Sequence, residues 1–440
     1  MENKKKPVLV SQGHYSFFTA TGIYYINHLS EEYLVDLIVP KEYKDEPEFF
    51  ECLKRIKVNE IYYLEDSIYF KKTETIISKF LTYLNFFNFS AHLRTKKLSA
   101  DIMKNTYEAY FSHDYMEMEH IYLFDMFRKY NKNSPIISII SSQPSNENTI
   151  PGFKQIKSEN AKKISLGIPI IHQIIILAFY SLRYFQSFFQ NIFYPMLASQ
   201  IVPSYLPLSA FNNIDIVPRK GFFDLYVVYE EIEKEFYDSL FNGRVKVERV
   251  NHPINCNQNQ LMSDLYGEEN KNNISIFFST LGIIPEYLEK EVDTWIALLH
   301  ELVSLDEDFK ISAKFHPRMN PYIINYTSEK IIENFENKID IFTGTSKTAE
   351  EIIFNSQIVI GDTSSTLIWA QYFEDKKVFS LSLPGFINNT DMKRYHKINV
   401  TSDPKNIIRI IKDKQSYISE MNTTDKRALS LNDLMRKKIN

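Results

Sequence analysis

Two short stretches of this chain bring together the residue types from which a phosphate site is made. They are residues 312–321, SAKFHPRMNP, and residues 358–370, IVIGDTSSTLIWA. Each reads as a β-strand running into a polar loop. Residues 309–315 lead into His316-Pro317-Arg318, and residues 357–360 lead into Gly361-Asp362-Thr363-Ser364-Ser365. Beyond the second loop, residues 367–373 have the apolar content of a helix packed on a sheet. A strand, a hydroxyl-rich turn and a helix N-terminus form an anion site, because unpaired amides and the helix dipole favour phosphate. His316 and Arg318 supply cationic donors for the same anion, with a surface ion pair as the competing role of Arg318. Asp362 is expected to orient its loop. Two further loops, Ser279-Thr280-Leu281-Gly282 and Thr343-Gly344-Thr345-Ser346, follow strands expected at 274–278 and 338–342. They add Ser279, Thr280, Gly344 and Thr345 to the candidate substrate contacts.

The elements that must hold these loops read as two α/β domains. Residues 7–10 form a short apolar run, residues 19–30 have helical spacing, and residues 34–39 form a second apolar run. That β–loop–α–β opening starts a doubly wound sheet. His14 lies in the first loop, at the carboxyl end of the first strand, where such sheets meet their ligands. It is a candidate catalytic base, with helix capping as the alternative. Further strands are expected at 61–64, 135–140, 223–228 and 245–250. The polar stretch 255–273 reads as a linker, and the second domain follows, its last strand at 377–381. The expected organisation is an N-terminal Rossmann-like domain over 1–260, a C-terminal Rossmann-like domain over 274–400 and a helical segment over 401–440. Together these make two doubly wound domains facing a cleft.

Residues 164–214 stand apart. Arg183 is the only Lys, Arg, Asp or Glu among them, and Ile, Phe, Tyr and Leu are dense. Pro169, His172 and Gln173 interrupt the run, so a spanning helix is disfavoured against buried core or a surface docked at a membrane interface. A cluster at His113, Asp114, Glu117, Glu119 and His120 lacks the i, i+4 histidine pair of a metal site and reads as a solvated helix face.

Composition excludes several classes. A net charge of −4 argues against a nucleic-acid partner. With 11 glycines in 440 residues and no GxGxxG or GxxxxGK[ST], dinucleotide and P-loop chemistry is disfavoured. Two cysteines make neither a disulfide framework nor a cysteine zinc site. The charged start leads directly into PVLV with no apolar signal segment, which predicts a cytoplasmic protein.

With an HP step and an SS step placed after strands of a second α/β domain, the chain resembles GT-B glycosyltransferases. The nearer likeness is to bacterial capsule and surface-polysaccharide enzymes: polysialyltransferases and sialyltransferases, capsule Kdo transferases and CDP-glycerol glycerophosphotransferases. The resemblance covers residues 274–383, and the first domain only in outline. It implies that His316 and Pro317, with Ser364 and Ser365, bind the phosphate and ribose region of a nucleotide-sugar donor, a CMP-sugar being favoured. It further implies metal-independent, inverting transfer of sialic acid or a related acidic sugar to a glycan or lipid-linked glycan acceptor, without a cofactor. Two features depart from the pattern. Trp369 stands where many relatives carry an acidic residue, and the first domain has no Asp/Glu-Asp/Glu-Gly motif, which leaves His14 as the candidate base by location. Glycerophosphate transfer, a UDP-sugar transferase or epimerase, and a carbohydrate-binding protein without catalysis are the alternatives.

Overall fold

The computed structural model describes residues 5–12, 22–64, 97–112, 123, 126–140, 224–255, 259–267, 272–413 and 429–439. Within these spans 242, 244, 283, 306–308, 317–318, 345–346, 363, 374, 385–391 and 396 are excepted. His14, residues 113–120 and the apolar stretch 164–214 lie outside the described residues. The chain forms two compact units. One holds the described residues up to Pro253 together with 429–439, and the other holds those from Ile254 to 413.

The first unit is built on a seven-stranded parallel sheet. In chain order its elements are β1 (Pro7–Ser11), α1 (Ile23–Ser30), β2 (Leu34–Pro40), α2 (Pro47–Leu53), β3 (Glu60–Leu64), β4 (Tyr110–Ser112), β5 (Ile136–Ile139), β6 (Leu225–Val228), α3 (Glu231–Phe241) and β7 (Lys246–Arg249). The strand order is β3-β2-β1-β4-β5-β6-β7, and every neighbouring pair is parallel. Parallel sheets are covered on both faces, which is why β1, β5 and β6 are near-continuous apolar runs. Asp36 is the exception inside β2. It is buried, and its carboxylate accepts from Asn59 Nδ2 at 2.7 Å and Tyr107 Oη at 3.0 Å, as a buried charge requires.

The second unit adds α4 (Asn259–Tyr266), β8 (Asn273–Phe278), α5 (Leu288–Val303), β9 (Lys310–Phe315), α6 (Pro321–Phe335), β10 (Ile339–Phe342), α7 (Ala349–Phe354), β11 (Ile358–Gly361), α8 (Ser365–Ala370), β12 (Lys377–Leu381), β13 (Ile398–Thr401) and α9 (Pro404–Lys412). Its sheet runs β10-β9-β8-β11-β12-β13, parallel throughout. Counted within the unit this is the order 3-2-1-4-5-6 of doubly wound folds, with the order reversing between β8 and β11. The last helix, α10 (Leu431–Ile439), packs in the first unit. There Asn432 Nδ2 donates to the His28 carbonyl at 2.9 Å and Arg436 forks onto Glu32.

Sequence spacing explains how the second sheet is covered. On α5, Val292, Trp295, Leu299 and Leu302 recur every three to four residues and are all buried. They pack in one core with Ile276, Phe278, Ala313 and Phe315 of the sheet, and each fully buried aliphatic side chain contributes about 1.5–3 kcal/mol. Helices α6, α7 and α9 begin with side-chain caps. Asn320 accepts from Tyr322 N, Thr348 from Glu351 N, and Asp403 from Lys405 N.

Several sequence expectations are revised. The stretch 255–273 is not wholly linker, because Leu261 and Met262 are buried by α4. The strand at 377–381 is not the last, since β13 extends the sheet beyond it. The helix after the serine turn is shorter and earlier than 367–373, spanning Ser365–Ala370. Strand β4, with only three residues, was hidden within a region of mixed pattern. Among the described residues no helix is long and apolar enough to cross a membrane.

Candidate functional site

The candidate residues of the second unit converge because the strands carrying them are in register. Phe278 of β8 stands opposite Phe315 of β9, and Phe342 of β10 opposite Lys314. Stepping beyond the strand ends, Ser279, His316 and Gly344 therefore fall on one row at the carboxyl edge. On the other side of β8, Phe277 pairs with Gly361, which puts Asp362 beside Phe278. The backbone continues this alignment, since His316 N donates to the Phe278 carbonyl at 2.9 Å. The His316 carbonyl then accepts from Met319 N at 2.9 Å, closing the turn that leads into α6. His316 is exposed.

Asp362 is buried at the end of β11, and its Oδ2 accepts from Ser279 N at 3.0 Å and Thr280 N at 2.9 Å. It thus ties the two strands at the point where the sheet order reverses. Burial pushes its pKa up to about 6, against the lowering effect of hydrogen bonds from Thr280 and Ser279. A second carboxylate holds the same turn. Glu291, on the first turn of α5 and fully buried, accepts from Gly282 N at 2.8 Å. Burial pushes its pKa up to about 7, the Gly282 amide opposing and the charge of Asp362 adding. Gly282 has φ +67°, and a Cβ there would collide with Ile323 Cδ1, so the turn requires glycine.

Ser364 is the N-cap of α8, its hydroxyl accepting from Thr366 N at 3.2 Å, and its side chain is buried. The backbone of Ser365 begins that helix. Gly344 takes φ +60° in the turn after β10. That turn is pinned from below by Lys314, whose Nζ donates to the carbonyls of Gly344 at 3.1 Å and Lys347 at 2.6 Å. Burial lowers the Lys314 pKa, with Glu350 and Glu351 opposing. Pro317, Arg318, Thr363, Thr345 and the Ser365 side chain lie outside the described residues.

Residues 274–382 match the family model described as alpha-2,8-polysialyltransferase (POLYST). The segment runs from β8 through β12 and contains both the histidine turn and the serine turn. The likeness to the polysialyltransferase family is thus one of the second unit. No curated protein matches the sequence. Among solved structures, the chain is similar to the UDP-GlcNAc 2-epimerase from Neisseria meningitidis bound to UDP-GlcNAc, with 10% identity and a TM-score of 0.50 over 98% of this chain and 99% of that one. It is also similar to the UDP-GlcNAc 2-epimerase from Methanocaldococcus jannaschii, with 9% identity and a TM-score of 0.49 over 95% and 93%. A variant of the wall teichoic acid polymerase TagF has 13% identity and a TM-score of 0.44 over 99% and 89%. At 10% identity the likeness to the Neisseria enzyme concerns the fold alone, that of two Rossmann-like α/β units.

The carboxyl edge of the first unit is also polar. Tyr110 Oη donates to Ser11 Oγ at 2.9 Å, and Tyr25 Oη to Gln12 Oε1 at 3.0 Å. His252 is buried with its ring 4.4 Å from that of Tyr229. Glu233 accepts from the amides of Tyr229 and Glu230, both at 3.0 Å, capping the start of α3. Burial first, and then the Glu230 charge, push its pKa up to about 8. Among the described residues no group of three or more His, Cys, Asp or Glu side chains is arranged to hold a metal ion.

Sequence reasoning passed over Glu291 and Lys314. Glu291 left a signal, as the one acid on the apolar stripe formed by Leu288, Val292, Trp295 and Leu299. Lys314 left a similar one, a cation inside the apolar run of β9.

Proposed function

We propose that the enzyme transfers a sugar from a CMP-linked donor, sialic acid or a related acidic sugar, to a glycan or lipid-linked glycan acceptor. The observation that carries this reading is the alpha-2,8-polysialyltransferase match, whose boundaries enclose the histidine and serine turns of one sheet. A nucleotide sugar departs as a nucleotide phosphate, so the site must stabilise growing negative charge on the leaving group. In the proposed arrangement the His316 side chain and the Ser364 turn meet the donor phosphate, with Pro317 shaping the first turn and Arg318, Thr363 and Ser365 adding donors. Ser279, Thr280, Gly344 and Thr345 line the neighbouring turns. Deprotonation of the acceptor hydroxyl is assigned to His14, and the transfer is taken as metal-independent and inverting. We place the reaction in the cytoplasm, with residues 164–214 as the peripheral membrane contact.

The deciding experiment is a melting panel with CMP, CDP, UDP, GDP and ADP, since a ligand of the native state raises the melting temperature with its affinity. A shift with CMP, lost in His316→Ala, supports the reading. A shift with CDP or UDP alone replaces the donor and favours glycerophosphate transfer or UDP-sugar chemistry. No shift with any nucleotide overturns the proposal.

A further inference from the structure

In a doubly wound sheet the turn after the first strand ordinarily offers its amides to a phosphate. Here β8 is that strand, and the amides of Ser279, Thr280 and Gly282 are already bonded to two carboxylates of the protein, at 3.0, 2.9 and 2.8 Å. The carboxylates come from opposite sides. Asp362 leaves β11, next to β8 in the sheet, and Glu291 comes from α5 above it. Asp362 is 1% and Glu291 0% exposed, so neither can touch a substrate. The α-helix after the turn begins at Leu288, preceded by a 3-10 turn over Pro285–Tyr287, and neither has a side-chain cap at its start.

We propose that Glu291 and Asp362 are positioning residues that lock the 279–282 turn and withdraw its Ser279, Thr280 and Gly282 amides from the donor. The donor phosphate is thereby left to the turns after β9 and β11. This inference rests on the donor reading given above. The two carboxylates divide the work. Asp362 fixes the turn to the neighbouring strand, so that the spacing between the serine turn and the turn after β8 is set by one side chain. Glu291 fixes the far end of the turn at Gly282, whose backbone conformation excludes a side chain. Of the two hydroxyl residues in the turn, Ser279 is the less buried.

The test reads amide deuterium exchange across 279–282 in the whole protein, with and without whichever nucleotide shifts the melting temperature. In the wild type these amides are expected to be protected already, and saturating nucleotide is expected to change their exchange by less than about twofold, because free energies of opening set the rate. Added protection at Ser279 or Thr280 on binding overturns the proposal, as those amides would then be ligands. Glu291→Ala is expected to speed exchange at Gly282 and weaken nucleotide binding about tenfold, both restored in Glu291→Gln, which keeps a carbonyl acceptor. Unchanged binding in Glu291→Ala overturns this role alone. Failure of the wild type to bind any nucleotide overturns the donor reading and this role with it.

Discussion

Asp362 and Thr280 are 82 residues apart in the chain, yet the Asp362 carboxylate accepts the Thr280 amide at 2.9 Å across the reversal point of the second sheet. The same oxygen takes the Ser279 amide, so one buried side chain sets the distance between two loops that the sequence shows only as separate polar turns.

Removing that acceptor leaves amides at a largely buried turn without partners. Asp362→Ala is therefore expected to destabilise the protein by about 2–4 kcal/mol, and Asp362→Asn by no more than about half as much, since its amide oxygen still accepts. Urea denaturation of the three proteins checks this.

Glu291 makes a prediction of definite sign. Its carboxyl titrates at about 7 in the fold against an ordinary 4.5, so between those values the folded state holds a proton that the unfolded state has released. Stability from this group is full below the lower value, falls as pH rises through the window, and has lost on the order of 2–3 kcal/mol above it. Glu291→Gln keeps the acceptor and never ionises. It should melt higher than the wild type at about pH 8, with the gap closing at about pH 5. Thermal melts at both values decide, and a gap that widens on acidification would contradict the assignment.

Gly282→Ala combines a positive φ with a clash against Ile323. A loss of about 2 kcal/mol or more is expected in denaturant titration, with deuterium exchange speeding at 279–282.

Ser364 allows its cap to be separated from its proposed contact with the donor. Ser364→Ala should cost about 1 kcal/mol as a lost N-cap, and Ser364→Gly only a few tenths. If the hydroxyl meets the donor, both variants lose the nucleotide-induced rise in melting temperature alike. A rise retained in Ser364→Gly would confine the residue to capping.

Lys314→Met removes the two bonds that anchor the turn after β10. A loss of about 1–3 kcal/mol is expected, together with faster proteolysis at residues 343–348. Urea titration and limited digestion report the two effects.

Much of the second unit was legible in the chain. The apolar runs at β8 and β11 and the polar turns behind them announce parallel strands that end in loops, because a strand buried on both faces must be apolar along its length. Elements β4 and β13 were not legible. Tyr110–Ser112 has only three residues, and Ile398–Thr401 mixes Asn399 and Thr401 into its four, so neither shows an apolar run that can be told from a loop; only its place beside a neighbouring strand makes it part of the sheet.

The sequence by itself determined most strand segments of the two α/β units, β4 and β13 excepted, and the residue types of the donor-site candidates, His316 and Ser364 among them. Periodicity and turn chemistry are local properties, written within a few residues of one another. Strand order, and with it the row formed by Gly344, His316 and Ser279, was decided only by tertiary structure, because register is fixed between strands and not along one. The same holds for Glu291. On the helix it is one acid among apolar neighbours, and only the packing of α5 against the turn after β8 gives its carboxylate an amide to hold and raises its pKa.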